Sequence, residues 1–122
     1  MFAVIEDDES SRRILTRVVE KVSENEVIDF ASAEAFLRDA KVNNYELKGI
    51  FLDIELPGIS GIEAISYIKK IEGFENTPII MCSSSQDKLT IVKALKAGAV
   101  NFLVKPLSKD IIVKTINSLK VS

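Results

Sequence analysis

No histidine and no tryptophan occur among the 122 residues, and there is a single cysteine. The missing imidazole excludes His-based catalytic dyads, His-ligated metals and a phosphohistidine carried by this chain. Cys82 stands alone inside an apolar stretch, which excludes a disulfide framework and a thiolate metal site and reads as small core filling in a reducing cytosol. No apolar run approaches the ~20 residues of a membrane span, and no signal peptide precedes the first strand-like residues. The expectation is a soluble, cytoplasmic protein without a membrane partner. Charge of neither sign dominates, with 16 Lys+Arg against 18 Asp+Glu, and no block of like charge forms a nucleic-acid tail. Direct nucleic-acid binding is disfavoured. Any chemistry must run on carboxylates, hydroxyls and lysine.

What is present is enough for one core: the length suits one domain, residues 1–122, and 47% of the residues are hydrophobic. Short apolar runs alternate with amphipathic ones and no linker, repeat or low-complexity segment intervenes. "FAVI" (2–5), "VIDF" (27–30), "GIFL" (49–52), "PIIMC" (78–82) and "NFLV" (101–104) are strand candidates. Apolar residues recur at helical spacing between and after them: Ile14, Leu15, Val18, Val19 and Val22; Phe36, Leu37 and Ala40; Ile62, Ile65 and Ile68; Ile112, Ile116 and Leu119. Caps fall at the same boundaries. Ser32 precedes one helix, Ser60 with Glu63 forms a capping box before the next, Ser108 opens the last, and Gly98 sits where the fourth stops. The pattern is (βα)5. Strands that are apolar throughout predict a parallel sheet covered by helices on both faces.

In an open parallel sheet, ligands bind beyond the carboxyl ends of the strands, near the point where strand order reverses. The first strand runs into "EDDE", the third ends at Asp53, the fourth runs into Ser83, Ser84 and Ser85, and the fifth ends at Lys105-Pro106. The second ends blandly at Phe30-Ala31, as an edge strand away from a site would. Each feature has an ordinary explanation alone: acids near a helix N-terminus, a turn before Pro57-Gly58, a capping loop, a strand terminator. Their convergence on one rim is what predicts a site built from Glu6, Asp7, Asp53, a serine and Lys105.

Clustered carboxylates repel by roughly 4 kcal/mol per pair at ~4 Å and an effective dielectric near 20. A cation is implied. With only hard oxygen ligands available, Mg²⁺ or Mn²⁺ is expected and zinc is not. A carboxylate beside such an ion and a lysine is set up to attack phosphorus and become an acyl phosphate. Asp53 is the predicted acceptor, with a serine hydroxyl at the fourth strand's end as donor to a phosphoryl oxygen.

Four stretches, "VIEDDESSRRIL", "FLDIELPGISG", "PIIMCSSS" and "AGAVNFLVKP", together resemble the response-regulator receiver domains, of the size and layout of the stand-alone chemotaxis-type regulators. The resemblance covers essentially the whole chain and implies a flavodoxin-like (βα)5 sandwich with strand order 2-1-3-4-5. It implies Glu6 and Asp7 as the acidic pair, Asp7 as direct metal ligand, Asp53 as phosphoacceptor and the backbone carbonyl of Glu55 as a further ligand. Ser83 becomes the switch hydroxyl, Phe102 the aromatic switch and Lys105 the phosphoryl-binding lysine, followed by a cis bond to Pro106. Glu6 stands where many members have Asp. The "DD" at Asp7-Asp8 leaves open a one-residue slip, although "FAVI" before and the arginines after favour Glu6-Asp7. Ser83 replaces the more frequent Thr, which keeps the hydroxyl and loses a methyl. Glu55 lies two residues past the acceptor and is expected to set the dephosphorylation rate through its charge, acting on the metal, on Lys105 or on the attacking water.

The implied activity is a switch with Mg²⁺-dependent self-phosphorylation and autophosphatase chemistry, not metabolic catalysis. A partner histidine kinase or His-phosphotransfer protein supplies the phosphoryl group. The face made by the fourth helix, fifth strand and fifth helix meets an output protein or domain, with Lys88, Ile91 and Lys96 as candidate contacts. "AVNFLVKPL" lacks the paired acids common before the aromatic in DNA-binding winged-helix regulators. Rival readings lose on placement. An FMN-binding flavodoxin needs a phosphate loop where "EDDE" stands; a haloacid-dehalogenase-type phosphatase carries its Asp-x-Asp on the first strand; a topoisomerase-primase-like module gives Ser83 and Lys105 no role. A degenerate receiver, acting as a phosphorylation-independent interaction module, remains the alternative.

Overall fold

A computed structural model describes residues 1–43 and 45–119. Ten elements alternate: β1 (Phe2–Ile5), α1 (Glu9–Ser23), β2 (Val27–Phe30), α2 (Ala33–Val42), β3 (Gly49–Asp53), α3 (Gly61–Lys69), β4 (Ile79–Ser83), α4 (Lys88–Ala97), β5 (Asn101–Val104) and α5 (Lys109–Leu119). The five strands are parallel, in the order β2-β1-β3-β4-β5 that the resemblance implies.

The continuous apolar strands divide by pleat between two cores, because successive side chains point to opposite faces. Ala3, Ile5, Ile50, Leu52, Ile79 and Met81 join Phe36 and Leu37 of α2, Ile65 and Ile68 of α3 and Ala94 of α4. Phe2, Val4, Phe51, Ile80, Cys82 and Leu103 join Leu15 and Val19 of α1 and Ile112 and Ile116 of α5. Cys82 is fully buried, and burial pushes its thiol up to about 12, in keeping with core filling.

Local chemistry sets the helix starts. Asp8 caps α1 by accepting from the Ser11 amide, Ser32 caps α2, and Ser60 and Glu63 complete both bonds of the capping box on α3. The Ser108 hydroxyl accepts from the Ile111 amide, and Gly98 ends α4. Ile14 departs from the predicted stripe: it is 64% exposed, because α1 packs mainly against α5 and the sheet and its outer flank faces solvent beside Leu107.

Two strands run one residue past the apolar stretches that mark them, to Asp53 and Ser83. Asp53 pairs with Cys82 and Ser83 with Val104, so both side chains stand on the last rung of the ladder. Beyond it, the Ile54 amide donates to the Cys82 carbonyl and the Lys105 amide to the Ser83 carbonyl, at 3.0 and 2.8 Å. The rim is therefore built on rigid backbone.

Gly61 fixes α3 against that rim: a Cβ there would collide with the Asp53 carbonyl oxygen and lie 2.7 Å from the Ile54 Cα. Backbone cannot yield as a flexible side chain can. Gly61→Ala is expected to destabilise the fold by about 3 kcal/mol, read by urea denaturation, as the helix is pushed off the end of β3. An unchanged midpoint would contradict this packing.

Candidate functional site

The first acids after β1 separate by role. Glu6 is 3% exposed and turns inward, Asp7 is exposed above it, and Asp8 is spent on the helix cap. Of the two possible pairs in "EDDE", Glu6 and Asp7 are the acids that cluster with Asp53. One carboxylate oxygen from each of Glu6, Asp7 and Asp53 lies within 4.8 Å of the others. Asp53 is 4% exposed.

Lys105 reaches back from the end of β5 between the two buried acids. Its ammonium donates to Glu6 Oε1 at 2.5 Å and lies 3.2 Å from Asp53 Oδ2. Burial alone would lower its pKa, but Glu6 and Asp53 raise it, so the lysine stays charged. The Lys105-Pro106 peptide is cis. Burial disfavours the charged form of Glu6 as well; hydrogen bonds from Lys105 and from the Asp8 amide overcome that and hold it below the ordinary carboxylate range. Asp53 is left worse off. Burial and the adjacent Glu6 charge push it up to about 7 against the pull of Lys105, and its Oδ1 accepts only a 3.3 Å bond from the Glu55 amide.

The donor set fits a hard divalent cation. Three carboxylates converge, the two buried ones sharing a single lysine, with no imidazole and no thiolate beside them.

Ser83 is fully buried at the end of β4, and its hydroxyl donates to Glu55 Oε1 at 2.6 Å. The neighbouring Ser84 hydroxyl donates to Glu55 Oε2 at 3.0 Å. Glu55 is thus tied to the β4–α4 loop, while Lys105 is occupied by Glu6 and Asp53. Its hydrogen bond from Ser83, opposed by slight desolvation and joined by Ser84, holds the carboxyl below its usual range. Phe102 is half-buried in β5, opposite Met81 and against the core of the α2–α4 face.

Three supporting residues escape a reading of the sequence. Arg12 donates to the Glu6 carbonyl at 2.9 Å and to Asp29 at 3.1 Å, bracing the β1–α1 loop against β2. Ser84 doubles the tie to Glu55. Glu34 of α2 accepts from the Ile59 amide at 3.0 Å and occupies the space a Cβ at Gly58 would need, where φ is +73°. A cation one turn past an acidic loop was a usable signal for Arg12; nothing local marks Glu34. Beside Lys105, a largely apolar groove of about 460 Å³ runs between α1 and the β5–α5 loop, lined by Glu6, Ile14, Leu15, Ser84, Pro106 and Leu107 among others.

Residues 2–117 match the family described as response regulator receiver domain. The chain belongs to that family. The receiver is 30% identical to the chemotaxis protein CheY of Thermotoga maritima over 118 residues, covering 95% of this chain and 93% of that one. It is 38% identical over 105 residues to protein-glutamate methylesterase/protein-glutamine glutaminase 3 of Leptospira interrogans, matching 84% of this chain but only 29% of that protein's length. Its fold overlays the receiver domain of sensor histidine kinase PA1611 from Pseudomonas aeruginosa, with a TM-score of 0.87, 20% identity and coverage of 99% and 97%; that domain was solved with magnesium coordinated in its active-site cleft. Among the described residues, no helix of this receiver is long and apolar enough to cross a membrane.

Proposed function

We propose that the protein is a cytoplasmic two-component receiver that takes a phosphoryl group on Asp53 from a histidine kinase or His-phosphotransfer protein, signals, and loses it by hydrolysis. The observation that carries this reading is the convergence of Asp53 with Glu6, Asp7 and Lys105 on one strand-end rim.

Glu6, Asp7, Asp53 and the backbone carbonyl of Glu55 are the proposed ligands of Mg²⁺, or Mn²⁺, which would neutralise phosphoryl charge during transfer. The carboxylate of Asp53 forms the new P–O bond as the donor's P–N bond breaks and imidazole leaves with that electron pair. Lys105, already held between two acids, faces the oxygens of the arriving group and offsets their charge. Glu6 keeps the ammonium charged and in place, and Arg12 holds the Glu6 backbone. Ser83 supplies a hydroxyl from a fixed strand end, and with Phe102 it relays the change to the α4–β5–α5 face, where the output protein or domain binds. A receiver that never takes phosphate is disfavoured, since acceptor, lysine, hydroxyl and acid cluster stand together.

Incubation with Mg²⁺ and acetyl phosphate tests the reading by intact-protein mass. One added phosphoryl group on the wild type, absent from Asp53→Asn, is expected; none on the wild type, with donor and metal in excess, overturns it. Glu55 is the proposed modulator of hydrolysis. Glu55→Gln removes a charge beside the acceptor and is expected to lengthen the half-life of the phosphorylated form at least about threefold. An unchanged decay rate would remove Glu55 from that role.

A further inference from the structure

Ser83 has one hydroxyl hydrogen, and a hydroxyl can donate it to one acceptor at a time. Here that hydrogen is committed to Glu55 Oε1 at 2.6 Å, while the Ser83 Oγ itself accepts from the Ser85 amide at 3.0 Å. Ser84 donates to the other Glu55 oxygen at 3.0 Å. A single carboxylate at the start of the β3–α3 loop therefore clamps both serines at the start of the β4–α4 loop, 28 and 29 residues away in sequence.

We propose that Glu55 is a latch on the switch hydroxyl: it holds Ser83 in its inactive position by offering an acceptor that competes with the phosphoryl group on Asp53. This rests on the receiver reading above and adds to it a positioning residue that acts through Ser83. The clamp is strong by chemistry. Its acceptor is a carboxylate, its donor is buried at a strand end, and charge-assisted bonds of this length outweigh neutral ones. The two ties also make release stepwise. When Ser83 turns to the phosphoryl oxygens, Ser84 still holds Glu55, so the loops part only when the second bond also goes. A receiver built this way resists spontaneous switching.

Beryllofluoride with Mg²⁺, a non-hydrolysed mimic of an aspartyl phosphate, separates latch from charge in a double-mutant cycle. Affinity is measured by calorimetry for wild type, Glu55→Ala, Ser83→Ala and the double variant, with Asp53→Asn as blank. Loss of the carboxylate tightens binding in two ways, by freeing Ser83 and by removing a negative charge, and only the first needs the Ser83 hydroxyl. Glu55→Ala is therefore expected to tighten binding about tenfold with Ser83 present and only about twofold in the Ser83→Ala background. In metal-free protein the Ser85 amide resonance, which reports on the Ser83 oxygen, is expected to move on Glu55→Ala while the cooperative melt is retained. Equal tightening in the two backgrounds overturns the latch and leaves the receiver intact. No beryllofluoride binding by the wild type overturns the receiver reading and the latch with it.

Discussion

Asp53→Asn is expected to melt at a higher temperature than the wild type in metal-free buffer at pH 8. Asp53 is buried beside buried Glu6, and one lysine serves both. Burial and the adjacent Glu6 raise its pKa from 3.8 to about 7, so the fold penalises the charged form. The amide escapes that penalty but gives up the ion pair with Lys105. The net gain is about 2 kcal/mol, on the order of 5 °C in melting temperature for a domain of this size. The sign also fixes the pH profile. Because the folded-state pKa lies above the unfolded one, the stability conferred by the neutral carboxyl is complete below about pH 4 and is lost as pH rises through about 7. The gap between variant and wild type should therefore widen from pH 4 to pH 8, and millimolar Mg²⁺ should narrow it again. Far-UV circular dichroism is the suitable probe, since the chain has no tryptophan. Equal melting temperatures at pH 8 would show that the acid cluster carries no such cost.

Lys105→Ala should separate metal binding from phosphoryl chemistry. With the ammonium gone, Glu6 and Asp53 face each other in a buried site with no compensating cation, and the metal-free protein loses about 3 kcal/mol of stability. The same loss makes the site a better cation trap, so Mg²⁺ is expected to bind about tenfold more tightly by calorimetry. Phosphoryl acceptance from acetyl phosphate nevertheless falls at least about 100-fold, because the charge that meets the incoming oxygens is missing. Opposite changes in metal affinity and in acceptance rate identify Lys105 as an electrophilic partner of the phosphoryl group. If Mg²⁺ bound more weakly to the variant, Lys105 would instead be organising the metal ligands.

The sheet was legible because its strands are apolar on both pleats: Phe2 and Ala3, or Ile50 and Phe51, feed opposite cores, and only a sheet buried on both faces demands that. The rim was legible because Asp53, Ser83 and Lys105 interrupt or end apolar runs where solvation alone has no reason to place them. Strand ends were less so. Asp53 read as the end of β3 and is so, but Ser83 read as the first residue past β4 and yet belongs to the ladder, since backbone pairing continues regardless of side-chain polarity. What stayed hidden is long-range and polar. The partners of Glu55 lie 28 and 29 residues away, and Glu34 meets the Ile59 amide across 25. No periodicity encodes such pairings; they follow from where the loops stop once the sheet has set them side by side. Ile14 shows the converse limit, for a helical stripe records which side chains are apolar and leaves open how wide a face the neighbouring elements cover.

Borohydride trapping tests whether Asp53 itself becomes the acyl phosphate. Reduction of the phosphorylated protein converts an aspartyl phosphate to homoserine, which peptide fragmentation places on the sequence. Homoserine at position 53, dependent on Mg²⁺ and on prior phosphorylation, is the predicted result. Homoserine at Asp7 or Asp8, or a phosphoryl group that resists reduction and maps to Ser83 or Ser84, would contradict it.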